Sequence, residues 1–549
     1  MFAYAPLIPI LTLLSGALII CLLHKLLRTK DLGLVALVTV SVAWAAAILL
    51  YQRKPQSLTL SHWQAILPAE GALSYYVDDL AATFLLLILY LGLAGIFASL
   101  ESLTAPSETI STLLAPMLLL LAGGASLFLA GNLLTLYLSW GLLDLAFLLG
   151  IVLAHRGELA GRAAARATGI TYLAGLAILA ALMKNWESSP YQWTASPPFS
   201  VAALLSLAAL VRVGIYPAHL WLPEKVKMPG LLAMLLYSAS IGTGLYLLLR
   251  VHSLSEGALP WGDVILMAGA LSLVISALLT WRRTQPRETV FYLITNQASY
   301  VILSLALCSS GATTIATLQV LNLLLSSSIL LLWERRKQPA TFWAKAPPTL
   351  AILSLLGLPL TPGFTTRWLL YQSALNRGQE GYVALGAIAT FLTFLPLLRF
   401  LHSGGREEKG EGELSNWMAL VLLAIPLLLL GFHPSLIISS PEEAASLPSF
   451  LNLLSLSSHK ISILASISFP IFGGYLLHRL GPVFSENLAS LLGILCQIAD
   501  LRWLYGLLEK AFLRARAVLR TVGMILVEER SLGWTLLWGL VVILFLMKT

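Results

Sequence analysis

The chain has 549 residues, of which 58% are hydrophobic and only 11% charged, and its mean hydropathy is +0.85. Soluble domains carry about 25% charged residues, so this composition excludes a soluble globular protein. A formal net charge of +8 would suit a nucleic-acid-binding surface, but the charges lie mostly in alternate loops between apolar segments. That distribution excludes a nucleic-acid partner and favours the lipid bilayer.

Apolar segments follow one another from one end of the chain to the other. A transmembrane helix needs about 18 or more apolar residues, and we predict an all-α polytopic membrane protein with about 16 such helices. Residues 1–23 lack a basic segment ahead of their apolar run, so we expect a first span rather than a signal peptide. The predicted spans lie at 5–23, 33–51, 80–99, 112–130, 132–153, 168–183, 200–222, 230–251, 262–280, 290–308, 312–333, 347–372, 383–401, 416–436, 458–478 and 532–547.

Lysine and arginine are concentrated in the loops near 24–32, 154–167, 223–229, 281–289 and 334–346. With the predicted spans, these loops fall on one side of the membrane. The positive-inside rule makes that side cytoplasmic. We therefore expect both termini on the non-cytoplasmic side of a prokaryotic plasma membrane or another energy-transducing membrane.

The region 483–530 has a different pattern from the spans. Apolar residues alternate there at helical spacing with acidic and basic ones, which predicts an amphipathic helix too charged to span. We expect it to lie laterally, along the membrane surface or along neighbouring subunits, before a final span at 532–549. Two shorter surface helices with a bend would fit the same pattern.

Arg212 lies inside an apolar run that ends with Gly214 and Pro217. Ionisable groups are costly within hydrocarbon, so a charge at mid-span is a functional hypothesis. Glycine and proline can break the helix just beyond it, and a broken helix lets a buried charge and freed carbonyls line a polar cavity. The alternative is that Arg212 extends along the helix to an interface.

A second interruption precedes Arg367. Paired interruptions at corresponding places suggest two structural repeats, although membrane helices tolerate proline and the pairing can arise by chance. The predicted helix-breaking residues of this segment are Pro359, Pro362 and Gly363.

Asp144 has apolar turns on both sides. Burial disfavours the charged form of a carboxyl group, which would allow proton exchange; the alternative is a carboxylate fixed in an ion pair with Arg212 or another base. Asp78 and Asp79 precede the third span and are expected to cap it rather than carry protons. His219 can titrate near neutrality or serve as a hydrogen-bonded packing residue.

The sequence has no phosphate-binding loop, no dinucleotide glycine motif and no HExxH. Its three cysteines, Cys21, Cys308 and Cys496, are far apart, so neither a disulfide framework nor a metal site is indicated. We expect no cofactor, no metal and no enzyme active site within this chain.

Four segments resemble the antiporter-like membrane subunits of respiratory complex I, membrane-bound hydrogenases and multisubunit cation/proton antiporters. Val77–Phe84 (VDDLAATF) is similar to the family pattern VDxLSxxF, and Tyr216–Glu224 (YPAHLWLPE) to FPxHxWLPD. Leu356–Trp368 (LGLPLTPGFTTRW) is similar to GIPPxxGFxxKW. The run around Leu321 and Asn322 resembles the family's INHALxKALLF span, and the resemblance extends from about residue 70 onward.

The resemblance implies two inverted five-helix repeats at 112–251 and 262–401, each with a broken helix. Spans 1–3 at 1–111 would precede them, and two further spans at 416–478 would follow. The amphipathic helix at 483–530 would correspond to the lateral helix of the family's distal subunit.

The resemblance also identifies an expected ion path, in which several titratable residues are replaced. The family's fifth-span acidic residue corresponds to Gly141, three residues before Asp144 on nearly the same face. Lysine can release a proton when buried, whereas arginine effectively cannot. Five further expected positions are occupied by Arg212 in the seventh span, Tyr237 or an apolar neighbour in the eighth, Ser327 and Leu323 in the eleventh, and Arg367 in the twelfth.

Polar side chains of the tenth and eleventh spans can support a hydrated path or make interhelical hydrogen bonds. They are Tyr292, Thr295, Asn296, Gln297, Ser299, Ser326, Ser327 and Ser328.

Three functions fit these residues. The first is an ion-translocating subunit of a redox-driven, complex I-like assembly with other membrane subunits, itself non-catalytic, in which Asp144 exchanges a proton. The second is a non-pumping structural or coupling subunit of such an oxidoreductase or hydrogenase complex. The third is a separate cation/proton antiporter or the membrane partner of an inorganic-carbon transporter.

Overall fold

A computed structural model describes residues 2–60, 72–100, 108–154, 158–184, 196–221, 228–283, 285–308, 311–334, 342–402, 413–437 and 458–479, with isolated residues between 493 and 514. The chain divides into two compact units, Met1–Ala489 and Ser490–Thr549. The predicted lateral helix and the final span belong almost wholly to the second unit and, apart from those isolated residues, lie outside the described residues.

The first unit is nearly all helical, as predicted. Twelve of its described helices are long and apolar enough to cross a membrane, and three shorter ones are also apolar. Helices suit this setting because each satisfies its own backbone hydrogen bonds. In chain order the helices are α1 (Ile8–Leu23), α2 (Thr29–Gln52), α3 (Asp79–Ser99), α4 (Glu108–Phe128), α5 (Leu133–Ala154), α6 (Glu158–Lys184), α7 (Phe199–Val213), α8 (Gly230–Leu254), α9 (Gly262–Arg282), α10 (Pro286–Leu307), α11 (Ala312–Trp333), α12 (Phe342–Leu356), α13 (Pro362–Asn376), α14 (Glu380–His402), α15 (Glu413–Phe432) and α16 (Ser458–Arg479).

A two-stranded antiparallel sheet lies between α2 and α3, in a part of the chain where no strand was predicted. Strand β1 (Gln56–Leu60) pairs antiparallel with β2 (Leu73–Val77). The turn between α4 and α5 joins it, since the Gly131 amide donates to the Ser74 carbonyl at 2.7 Å. The all-α prediction missed this sheet because two five-residue strands give a much weaker pattern than the apolar helices around them.

Helices α8 and α11 form the centre of the unit, and the most apolar part of each is entirely buried. On either side the same neighbours recur: α4 packs against α5 and α8, and α9 packs against α10 and α14. The two five-helix repeats at 112–251 and 262–401, and their inverted relation, stay predictions.

Both predicted helix breaks contain a left-handed glycine. Helix α7 ends at Gly214, whose φ is +76°, and after Pro217 the chain forms a short 3-10 helix at Ala218–Trp221. Helix α12 ends before Gly357, whose φ is +77°. Glycine adopts this conformation without the steric cost that other residues incur.

Pro359 lies in the gap between α12 and α13, whereas Pro362 and Gly363 belong to the first turn of α13. Thr361 caps that turn by accepting a hydrogen bond from the Phe364 amide. Pro362 occupies the first helical position, where a missing N–H costs nothing. The second break is therefore five residues long, with Pro359 inside it and Pro362 at the start of the following helix, so neither proline distorts a continuous helix.

Candidate functional site

Asp144 and Arg212 form a buried ion pair between α5 and α7. Arg212 Nη1 donates to Asp144 Oδ1 at 2.7 Å, with Arg212 fully buried and Asp144 8% exposed. Arg212 therefore extends to a carboxylate and not to the protein surface. The Trp140 ring covers the guanidinium, with 4.3 Å from Cζ to the ring centroid, an arrangement that adds a cation–π contribution.

Arg212 has hydrogen-bonding capacity left after this pairing. Among the described residues, Nε and Nη2 have no hydrogen-bond partner. Arg212 also lies in the last turn of α7, next to the break at Gly214. The break brings the carbonyl end of α7 close to this cation, and a helix C-terminus favours positive charge.

Gly141 and Asp144 face different surroundings although only three residues separate them. Gly141 is exposed, and a Cβ added there would meet no atom within 4 Å. Asp144 is turned toward Arg212 inside the bundle. The carboxylate of this chain is thus displaced along α5 and also rotated inward from the position that the family resemblance indicates.

Arg367, on α13, is 2% exposed and has no acidic partner among the described residues. Its Nη1 donates to the carbonyl of Leu356 and its Nη2 to that of Leu355. Nη1 also donates to Thr390 Oγ1 at 2.9 Å. The Tyr300 ring lies 4.7 Å from Cζ. This arginine is therefore held by neutral oxygens and an aromatic face.

A network of amides and hydroxyls continues from Arg367. Leu355 O also accepts from Gln297 Nε2 at 3.2 Å, and Gln297 Oε1 accepts from Gln319 Nε2 at 3.1 Å. Thr366 then donates to Gln319. These contacts are interhelical hydrogen bonds that join α10, α11, α12 and α13. For Gln297 they agree with the expectation that polar residues of the tenth span bond to neighbouring helices.

The remaining predicted path residues lie elsewhere. His219 is buried between Tyr216 and Tyr292, with ring centroids 5.3 and 5.9 Å away. Tyr237 lies 6.2 Å from the Phe291 ring. Ser327 donates to the carbonyl of Leu324 in its own helix at 3.3 Å. Asp144 and Arg212 are the two predicted path residues joined by a direct contact described in the structure.

Sequence reasoning missed a second ion pair between the start of α3 and α8. Asp78 caps α3 as predicted, accepting from the Ala81 amide at 2.9 Å. It also accepts from both terminal nitrogens of Arg250. Arg250 Nη2 donates to Tyr246 OH at 2.8 Å, and Tyr246 donates to the Phe128 carbonyl. The only sequence signal was the spacing of Tyr246 and Arg250, one helical turn apart.

This second pair shifts the protonation of Asp78. Burial alone would raise the pKa of Asp78, but the hydrogen bonds and positive charge of Arg250 hold that pKa below its ordinary value. The neighbouring Asp79 is exposed and pairs with Lys54. Asp78 is consequently a fixed anion at neutral pH, which suits a structural role at the end of the bundle.

The central part of the chain matches a protein family. The family described as NADH:quinone oxidoreductase/Mrp antiporter, TM matches residues 130–393, which include both broken segments. NADH-quinone oxidoreductase subunit N of Salinispora arenicola (strain CNS-205) is 24% identical over 513 residues, covering 80% of this chain and 97% of that protein.

Two solved complexes contain chains of the same fold. One is the membrane-bound sulfane sulfur reductase, an archaeal respiratory membrane complex, with a TM-score of 0.68 and 19% identity over 77% of this chain and 75% of that chain. The other is the Mrp complex from Dietzia sp. DQ12-45-1b, with a TM-score of 0.66 and 16% identity over 87% of this chain and 99% of that chain. At these identities the similarity shows a shared fold.

Proposed function

We propose that this integral membrane protein, a divergent member of the antiporter-like membrane subunit family, translocates protons or cations within a redox-driven, complex I-like assembly. Its partners would be other membrane subunits, and the redox centres would lie in those partners. Both termini would face the non-cytoplasmic side. One observation carries the proposal: the buried ion pair of Asp144 and Arg212 beside the break in α7.

The pair supports translocation because only one of its members can titrate. Arginine stays protonated in proteins, so a proton exchanged here must enter and leave the carboxylate of Asp144. Protonation of Asp144 would leave the positive charge of Arg212 buried without a counter-charge, which is costly. The protonation state of Asp144 is thereby linked to any charge that approaches or leaves Arg212.

This linkage gives a route for coupling. A positive charge brought near the pair by a neighbouring subunit would favour ionised Asp144 and release its proton, and its withdrawal would favour uptake. The Nε and Nη2 groups of Arg212 have no hydrogen-bond partner among the described residues. While Asp144 is protonated, these groups would donate to another hydrogen-bond acceptor in its place. Arg212 would thus act as a fixed charge that sets the proton affinity of its partner.

The test is ion uptake driven by electron donor in sealed vesicles that carry the intact assembly. Asp144→Asn should lower the number of ions moved per electron pair while assembly and electron transfer persist. Asp263→Asn is the matched control, because Asp263 is an exposed carboxylate at the start of α9. An unchanged ion-to-electron ratio in Asp144→Asn would exclude translocation through this chain.

A second function, a non-pumping coupling subunit, is favoured by the other broken segment. Arg367 is held by carbonyls, and the positions of the family's eleventh-span titratable residues are Leu323 and Ser327, both buried and neutral. This reading predicts the same ion-to-electron ratio in Asp144→Asn and in the unaltered assembly. Co-purification with redox subunits would argue against a separate antiporter or carbon transporter.

A further inference from the structure

The carbonyl end of α12 is covered by a side chain from α13. Arg367 reaches back 11 residues to the Leu356 carbonyl and 12 to that of Leu355. The last carbonyls of a helix carry a partial negative charge, because they have no partner within the helix. The guanidinium therefore occupies the place where the broken helix attracts a cation most strongly.

A hydroxyl from α14 also contacts the guanidinium and donates to a carbonyl that accepts a second hydrogen bond. Thr390 Oγ1 accepts from Arg367 at 2.9 Å and donates to the Gly386 carbonyl at 2.8 Å. Tyr300 OH donates to the same carbonyl at 2.9 Å. Broken membrane helices bind monovalent cations with such carbonyl and hydroxyl oxygens, whereas calcium sites rely on carboxylates. The chemistry of this shell suits Na⁺ or K⁺.

The arginine fills this space closely. A Cβ at Gly357 would lie 2.6 Å from Arg367 Cδ, so the glycine leaves room for the side chain to fold back over the helix end. Tyr300 covers the guanidinium with its ring. Little of the side chain is exposed, and its terminal nitrogens already use the oxygens that a mobile cation would need.

We propose that Arg367 is a tethered cation that occupies a monovalent-cation site at the end of α12 and keeps mobile ions out of the second broken segment. Removal of the guanidinium would leave Leu355, Leu356 and Thr390 oxygens available to Na⁺ or K⁺. The inference concerns α12 and α13 and does not depend on proton exchange at Asp144.

The test compares thermal unfolding of the full-length protein in NaCl, KCl and choline chloride at equal ionic strength. The Tm of the unaltered protein should be the same in all three salts. Arg367→Ala should show a saturable rise in Tm with Na⁺ or K⁺, and low millimolar guanidinium should also raise it, because ligands that bind only the folded state stabilise it. Arg377→Ala is the matched control, since exposed Arg377 also donates to a carbonyl, that of Ala306 at 3.3 Å.

Two results obtained with folded protein would overturn the proposal. In the first, the Tm of Arg367→Ala does not change with any of these cations. In the second, the Tm of the unaltered protein rises with one cation and the variant loses that rise. Arg367→Gln provides a second variant with a shorter, neutral side chain. If the variants fold only with Na⁺, K⁺ or guanidinium present, the proposal is supported. If both fail to fold in every salt, the helix end needs arginine itself and the proposal fails.

Discussion

The two broken segments each bury an arginine, but they balance its charge differently. At the end of α7, Arg212 pairs with a carboxylate that lies 68 residues away in sequence, on α5. Arg367 is held by carbonyls of its own broken segment and by one hydroxyl. An ion pair with a carboxylate can respond to a proton, whereas a guanidinium on carbonyls has no titratable member at neutral pH.

The difference shows how one scaffold can keep its helix breaks while changing what they do. A break supplies a carbonyl end that favours positive charge, and both arginines lie at such an end. Only the Asp144 side adds a carboxylate, which can accept a proton, whereas arginine stays protonated. We therefore expect proton-linked behaviour on that side, and a dependence on cation chemistry alone on the Arg367 side.

Removal of Arg212 should have the largest effect and tests whether the two buried arginines differ in how their charge is balanced. Arg212→Ala leaves Asp144 buried without a partner, and loss of one member of a buried pair costs about 3–5 kcal/mol. We expect a loss of this size in the free energy of unfolding, measured by denaturant titration of the purified protein at pH 7. The destabilisation should become smaller at lower pH, because protonation removes the unpaired charge.

The control for this prediction is the double variant Arg212→Gln with Asp144→Asn. Two neutral amides remove both charges together, so neither partner is left as an unpaired buried charge, and we expect a smaller loss than in the single variant. Equal losses for the single and double variants would mean that Arg212 contributes packing and not charge balance. The contrast with Arg367 would then rest on geometry alone.

A second test concerns the close approach of α12 and α13. The Cβ of an alanine at Gly363 would overlap the Ser354 carbonyl oxygen. Insertion into a packed interior usually costs about 1–3 kcal/mol, and we expect Gly363→Ala to fall near the top of this range. Gly381→Ala, at an open position near the start of α14, should be close to neutral in the same unfolding assay.

The pair of Asp78 and Arg250 is a reference ion pair outside both broken segments. Because the folded-state pKa of Asp78 is depressed, the pair contributes stability above the unfolded pKa of about 3.9, and that contribution is lost as pH falls through the folded value. Asp78→Asn should therefore lose about 2 kcal/mol at pH 7. Its difference from the unaltered protein should shrink below about pH 4.

That pH profile needs a control that keeps the cap of α3. Asparagine caps helices about as well as aspartate, so the substitution isolates the charged pair from the hydrogen bond to Ala81. A constant difference between the two proteins from pH 7 to pH 3 would contradict an ionic contribution. In that case the pair of Asp78 and Arg250 could not serve as the reference ion pair for Asp144 and Arg212.

Helix positions were readable from the sequence because apolar length sets them directly. Each predicted span up to residue 478 overlaps a described helix, with α12 and α13 together forming one of them. Contacts between residues distant in sequence could not be predicted. Arg250 pairs with Asp78, 172 residues away, and no local sequence pattern indicates that contact. The ion pair of Asp144 with Arg212, 68 residues away in sequence, likewise depends on the packing of α5 and α7.

The smallest expected effect tests whether the acidic position has moved inward along α5. Gly141 is exposed and its Cβ position is open, so Gly141→Ala should raise the free energy of unfolding by about 0.5–1 kcal/mol, the ordinary helical preference for alanine. Gly123→Ala is the opposing control. The Cβ of this alanine would lie 2.9 Å from the Cα of Leu143, the residue before Asp144, so the substitution should destabilise the protein. If Gly141→Ala also destabilised it, position 141 would face the bundle, and the inward displacement of the carboxylate to Asp144 would be wrong.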